Sequence, residues 1–337
     1  MKKGYIYRNY FLIFLIIFFI PPVLFAETIT FNLEPHFFMD NTEYVDPYVK
    51  SEMLMGTSLK SFFTFRQTKN LTLNLGVYGI FFYGEEEFLS DVKPLASYIY
   101  NLEDVFSFTI GYLNNENRHN MLEALQKEQL EYTRQIDYGF QTLLMSKYSR
   151  LDLWLNWNLL NTPEHKEYLD LGTNLYVYVS NFIFNAQIYW SHHGGTLYDV
   201  GIMQNNYSMA LGLENYYALK NRVFNKIGYK AYFLGDLYEP GFEPSSRGYG
   251  IFGELYFYVL SFKLYLDYWY GNNFITEEGN PLYRHDELVI WGVRNESKIS
   301  NITDLIVELR FHYINDTNVF SYQYRFEFQT SLGYKVK

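Results

Sequence analysis

The sequence predicts an all-β protein: a transmembrane antiparallel up-and-down β-barrel of about 16 strands, with 14 as the alternative count. Three observations predict it. Aromatic residues make up 21% of the chain, with 35 Tyr and 30 Phe, against only 19% charged residues. That balance suits half-buried pleated surfaces, whereas a helical protein would lean on Leu and Ala. Apolar and polar side chains alternate along nearly the whole chain beyond residue 27, which puts one chemistry on each face of a strand. The inferred connections alternate between tight and long, so one end of the barrel carries only short turns and the other mostly long loops.

Residues 1–26 read as an export signal. Lys2, Lys3 and Arg8 form a basic start, "FLIFLIIFFI" (Phe11 to Ile20) is the apolar segment, and "PPVLFA" breaks the helix before a cleavage point between Ala26 and Glu27. The apolar run is shorter than the roughly 20 residues of a spanning helix, and no later run is longer. The barrel domain is therefore expected over 27–337. The chain has no cysteine, which excludes a disulfide scaffold, a thiolate metal site and a lipid-modified cysteine. The net charge of −10 becomes −13 without residues 1–26, since they hold three basic residues and no acidic one. Such a balance argues against nucleic acid as a partner.

Strands are expected at 28–39, 50–66, 71–83, 95–101, 105–114, 136–147, 150–160, 167–180, 182–194, 205–219, 222–236, 248–260, 261–275, 286–300, 301–315 and 319–337. In "LTLNLGVY" the apolar face is Leu71, Leu73, Leu75 and Val77. In "LDLWLNWNL" it is Leu151, Leu153, Leu155, Trp157 and Leu159, and in "LIVELRFHY" it is Leu305, Val307, Leu309, Phe311 and Tyr313. "IDYGFQTLL" and "NYSMALGLE" alternate likewise. Two long runs change phase, at Ser180-Asn181 and near 260–261. A change of phase without reversal would throw the wrong face outward, so both are expected to be hairpins. Pro35 costs the first strand a ladder bond.

A soluble sheet of this size would need two facing layers and would leave edges. In lipid, closure satisfies every backbone group and the apolar face needs no protein partner. Tyr189-Trp190, Tyr268-Trp269-Tyr270, Phe81-Phe82-Tyr83 and Tyr216-Tyr217 fall near inferred strand ends, where aromatic residues favour the headgroup zone. The last strand sets Phe320, Tyr322, Tyr324, Phe326 and Phe328 against Ser321, Gln323, Arg325, Glu327 and Gln329.

From Thr28 to Lys337 this pattern resembles the bacterial outer-membrane porins and related porin-like barrels. It departs from them at the end, where the last aromatic, Tyr334, is followed by Lys335, Val336 and Lys337. The resemblance implies short periplasmic turns, longer extracellular loops, and a place in the outer membrane of a Gram-negative bacterium. It also implies passive diffusion of small hydrophilic solutes or ions. The partners it implies are membrane lipid, those solutes, the barrel-assembly machinery and, as an option, a homotrimer. The acidic balance motivates a cation-leaning channel; the alternative is a closed barrel acting as receptor, adhesin or structural protein.

"NNENRHNMLEALQKEQLEYTRQ" (Asn114 to Gln135) breaks the strand pattern, with Met121, Leu122, Leu125 and Leu130 at roughly helical spacing. It is the third long loop, which in porins narrows the lumen. Arg118, His119, Glu123, Lys127, Glu128, Glu131 and Arg134 are then the expected constriction; a solvated helix capping the barrel is the other reading. Expected pore-lining charges are Asp137, Lys226, Lys230, Glu254, Lys263, Asp267, Glu308, Arg310, His312, Arg325 and Glu327, inward-facing and able to pair across hairpins. In "SHHGG" the adjacent His192 and His193 point to opposite faces, so they do not share a metal ion. A barrel hydrolase needs a Ser, a His and an orienting polar group together on the outer wall, and no such spacing is present. No enzymatic activity, cofactor or metal is expected.

Overall fold

The computed structural model describes residues 26–44, 47–87, 89–195, 197–198 and 201–337; the expected export signal, apart from Ala26, lies outside them. The sheet is built from β1 (Thr28–Glu43), β2 (Glu52–Arg66), β3 (Leu71–Phe82), β4 (Asp91–Leu102), β5 (Phe106–Tyr112) and β6 (Tyr138–Met145). It continues through β7 (Ser149–Leu159), β8 (Glu167–Val179), β9 (Phe182–Gly194), β10 (Gln204–Ala218), β11 (Phe224–Glu239) and β12 (Ser246–Val259). β13 (Phe262–Asn272), β14 (Glu287–Ser300), β15 (Thr303–Ile314), β16 (Val319–Thr330) and the short β17 (Leu332–Lys335) complete it. From β1 to β16 each strand pairs antiparallel with the next, and β1 closes the ring against β16 and, end to end with it, β17. Closure joins the first strand to the last, so neither β1 nor β16 is left as an edge, as a lipid environment demands.

The last strand is split rather than continuous, and Pro35 explains why. β1 pairs with β17 from Thr30 to Leu33 and with β16 from His36 onward. By that register Pro35, with no N–H to donate, faces Thr330, the last residue of β16 before the break at Ser331. The expected reversals at 180–181 and 260–261 are present, with Ser180 and Leu260 at positive φ (57° and 56°).

Alternation divides the wall. Leu255, Ile188, Ile251 and Phe233 stand on the outside, each at least half exposed, a greasy belt suited to acyl chains rather than water. Adjacent aromatics split between the faces, which corrects the expectation that whole clusters sit in the headgroup zone: Tyr189 and Trp269 turn inward and are each 1% exposed.

The lumen is largely filled. Two long connections, 113–137 and 273–286, fold inward and pack Ala124, Leu125, Phe274, Leu282 and Tyr283 against inward-facing Tyr232, Phe252, Trp269 and Ile290. The first of these is not the amphipathic helix its leucine spacing suggests. It has a left-handed turn at 117–120 and one short helix, α1 (Leu130–Thr133). Its apolar residues satisfy neighbours inside the barrel instead of one helix face.

Candidate functional site

The inward segment is fixed to the wall by charge. Glu128 accepts from Arg325 at 2.7 Å, Arg310 at 3.2 Å and Arg294 at 3.5 Å, three cations from adjacent strands β14–β16. Burial would raise its carboxyl, but the guanidiniums of Arg325, Arg310 and Arg294 hold it at about 2. Burial beside Glu327 pushes Glu131 up to about 7, and burial raises Glu123 despite Arg310 at 2.8 Å. Arg118 bonds Asp137 at 2.8 Å, and Arg134 bonds Glu278 at 2.8 Å and Asp170 at 3.2 Å. His119 bonds Asp152 at 2.9 Å and stacks on Trp154 at 3.7 Å. Asn117 to Asn120 all have positive φ, between 47° and 58°, at a cost of roughly 1–2 kcal/mol per residue. The bonds to Arg118 and His119 hold that turn in place. Lys127 gives its backbone N–H to Glu278 O at 2.8 Å.

The expected pore-lining residues face the lumen. Glu308 joins Arg294 and Arg310, each at 3.2 Å, and Tyr265 at 2.6 Å; Arg325 bonds Glu327 at 2.9 Å. Lys230 and Lys263 pair with Glu254, and Lys226 lies over the Tyr216 ring at 4.5 Å. Among the described residues, cavities of about 760 and 460 Å³ remain. Glu327 lines the larger; Lys230, Glu254, Lys263, Asp267, Glu308 and Arg310 line the smaller. Asp137, His312 and Arg325 are packed away, at 2%, 0% and 2% exposure. Asn74, Ser97, Lys298 and Asp304 at the larger cavity put it toward the tight-turn end.

A different arrangement lies on the outer wall near the long-loop end. His192 on β9, Asn205 on β10 and Glu239 on β11 are direct cross-strand neighbours on the outward face. Asn205 Oδ1 lies 2.9 Å from His192 Nδ1 and accepts from Trp190 Nε1 at 3.1 Å; its amide nitrogen donates to Glu239 at 3.1 Å. Trp Nε1 only donates and a carboxylate only accepts, so the amide orientation is fixed. Asn205 Oδ1 therefore requires a hydrogen on His192 Nδ1. In the neutral ring that leaves the Nε2 lone pair free, and Nε2 has no partner among the described residues. A Cβ at position 194 would collide with His192 Nε2, so Gly194 is what gives that nitrogen room. His193 turns inward, as the pleat requires, and stacks on Tyr168 at 4.2 Å.

The expectation that "SHHGG" carries no site rests on its two histidines facing opposite ways and on the lack of a Ser, a His and an orienting polar group spaced to share the outer wall. The overlooked signal was polarity out of phase: His192, Asn205 and Glu239 interrupt the apolar face of three successive strands at one level.

Comparison with known proteins bears on both arrangements. Over residues 24–337 the chain matches the family described as Lipid A 3'-O-deacylase-type. No curated protein matches it. OmpTΔL8, a loop L8 deletion mutant of the Vibrio cholerae outer membrane protein OmpT, superposes with a TM-score of 0.57 at 10% identity, over 90% of this chain and 99% of that one. OmpF of Salmonella typhi, in complex with daunomycin, gives 0.53 at 10% identity, over 90% and 97%. OccK11 (OpdR) of Pseudomonas aeruginosa gives 0.53 at 11%, over 91% and 96%. These likenesses concern the fold: that of an outer-membrane, channel-like barrel. The family match overturns the expectation that the chain is not an enzyme, and the family it shows is not specifically a porin family.

Proposed function

We propose, from the premise that the chain belongs to the lipid A 3′-O-deacylase-type family, that it is an outer-membrane hydrolase. Its substrate is an acyl ester of an outer-leaflet lipid of the lipid A type. The observation that carries this reading is the outward-facing His192 with its Nδ1–H engaged by Asn205 and its Nε2 open. An ester near the headgroup zone meets the wall at the level of the long-loop strand ends, where His192 stands beside Trp190 and Tyr207, rings suited to that zone.

In the step we derive, His192 Nε2 takes a proton from water as the water oxygen attacks the acyl carbonyl carbon. The tetrahedral intermediate collapses by breaking the bond to the sugar oxygen, which receives the proton from the imidazolium. A free fatty acid and a hydroxyl remain. Asn205 is a positioning residue: it holds the ring in the Nδ1–H tautomer, with Glu239 behind it.

The test is free fatty acid release from lipid A in mixed micelles by purified protein, with loss of one ester-linked chain. His192→Gln should abolish it; a wild type that releases no fatty acid would defeat the reading. A second reading, a passive channel for small hydrophilic solutes, is favoured by the two polar cavities, and liposome swelling with small sugars tests it. Outer-membrane placement follows from either reading.

A further inference from the structure

The outer-wall residues have immediate neighbours that point into the lumen, and those neighbours are held by the second inward connection. Asn206, next to Asn205, donates to Ile275 O at 2.9 Å, and its Oδ1 accepts from Glu277 N at 2.9 Å. His193, next to His192, lies with Nε2 at 3.4 Å from Glu277 Oε1. The same ring is stacked on Tyr168, whose hydroxyl bonds Glu278. One strap, 273–286, thus grips β8, β9 and β10 from inside, directly behind His192 and Asn205. The strap is tied in turn to the other inward segment: Thr276 donates to Ala124 O at 2.8 Å and Asn280 N to Glu123 O at 2.9 Å.

We propose that this strap controls the outer-wall site, holding it in working geometry through Asn206 and His193; the proposal rests on the reading of His192 as the general base. Adjacent strand residues share a peptide plane and point to opposite faces. The paired bonds to Asn206 leave its backbone little freedom to rotate, and so fix the direction of the Asn205 amide on the other side. Catalytic groups tolerate displacements of only about 0.5 Å before rate is lost. With the strap seated, Asn205 meets His192 Nδ1; with the strap withdrawn, β9 and β10 lose their inner brace and the base loses its fixed tautomer. Lumen contents that move the strap would therefore be felt on the lipid side of the wall.

The strap predicts a different outcome from a purely structural role. In full-length protein, Asn206→Ala should lower kcat on lipid A about tenfold while KM stays within about twofold, the pattern of lost geometry rather than lost substrate binding. Glu277→Ala, which removes only the carboxylate near His193, should move kcat in the same direction without threatening the fold. Histidine ¹⁵N spectra, with the His192 signal assigned by its disappearance in His192→Gln, should show a single Nδ1–H tautomer in wild type. Both variants should show a mixture. Wild-type kcat together with an unchanged His192 signal in the two variants would overturn the proposal. If the wild type hydrolyses no ester, the functional reading fails, and the ¹⁵N comparison still decides whether the strap fixes the ring.

Discussion

Replacing Glu128 should release the inward segment. Its carboxylate neutralises three guanidiniums, at 2.7, 3.2 and 3.5 Å. Those arginines lie on adjacent strands and would keep Glu308, Glu327, Glu123 and Glu296 as counterions, but Glu128 is the one carboxylate that meets all three. Breaking a buried ion pair by removing one partner costs about 3–5 kcal/mol. The Glu128 side chain is 28% exposed, and water recovers part of that, so about 3 kcal/mol is the expected loss for Glu128→Ala. That corresponds to a roughly hundredfold rise in the opening equilibrium of the segment. Glu128→Gln keeps an acceptor oxygen but not the charge and should fall between. Hydrogen exchange of the backbone amides of 113–137 measures the opening, and planar-bilayer conductance reads its consequence for the lumen. Unchanged exchange and conductance in Glu128→Ala would refute the view that this carboxylate fastens the segment.

Glu131 should make the same segment sensitive to pH. Its folded pKa, about 7, lies above the ordinary 4.5, so ionisation opposes the folded arrangement: the penalty is absent below about 4.5 and complete above about 7. Hydrogen exchange in 113–137 should therefore quicken, after correction for intrinsic rates, as pH rises through that window. Glu131→Gln should flatten the trend, and equal trends in both proteins would contradict it. Gly194→Ala should cut ester hydrolysis at least tenfold with little loss of thermal stability, because the added methyl meets His192 Nε2; activity assays and melting curves together check this. Any conductance measured in a salt gradient should reverse on the cation-selective side, since acidic groups outnumber basic ones at both cavities; anion selectivity would contradict it.

The barrel was legible because closure in lipid imposes period-two alternation on every strand, and a tight turn reveals itself as a change of phase at Ser180 or Leu260. The split of the last strand was half-legible: Pro35 announced a missing donor, but its position opposite Thr330 depends on β1 meeting the chain's far end. The filling of the lumen was not legible. Leu125 and Met121 pattern like a helix in isolation, whereas their partners, such as Trp154, Tyr189 and Tyr232, come from strands that only closure brings near. Inward charges such as Glu308, Arg310 and Arg325 could be named from alternation alone, yet their convergence on Glu128 could not. The outer-wall site failed for another reason. Its three polar residues are far apart in the chain, and each alone looks like an ordinary rim residue; register is what makes them neighbours.

The most direct measurement is the mass of lipid A extracted from Gram-negative cells producing either the wild-type barrel or His192→Gln at equal levels. The wild type should yield a species lighter by one ester-linked acyl chain, and the variant should leave lipid A intact. Identical spectra from the two, with or without the lighter species, would contradict a hydrolase built around His192.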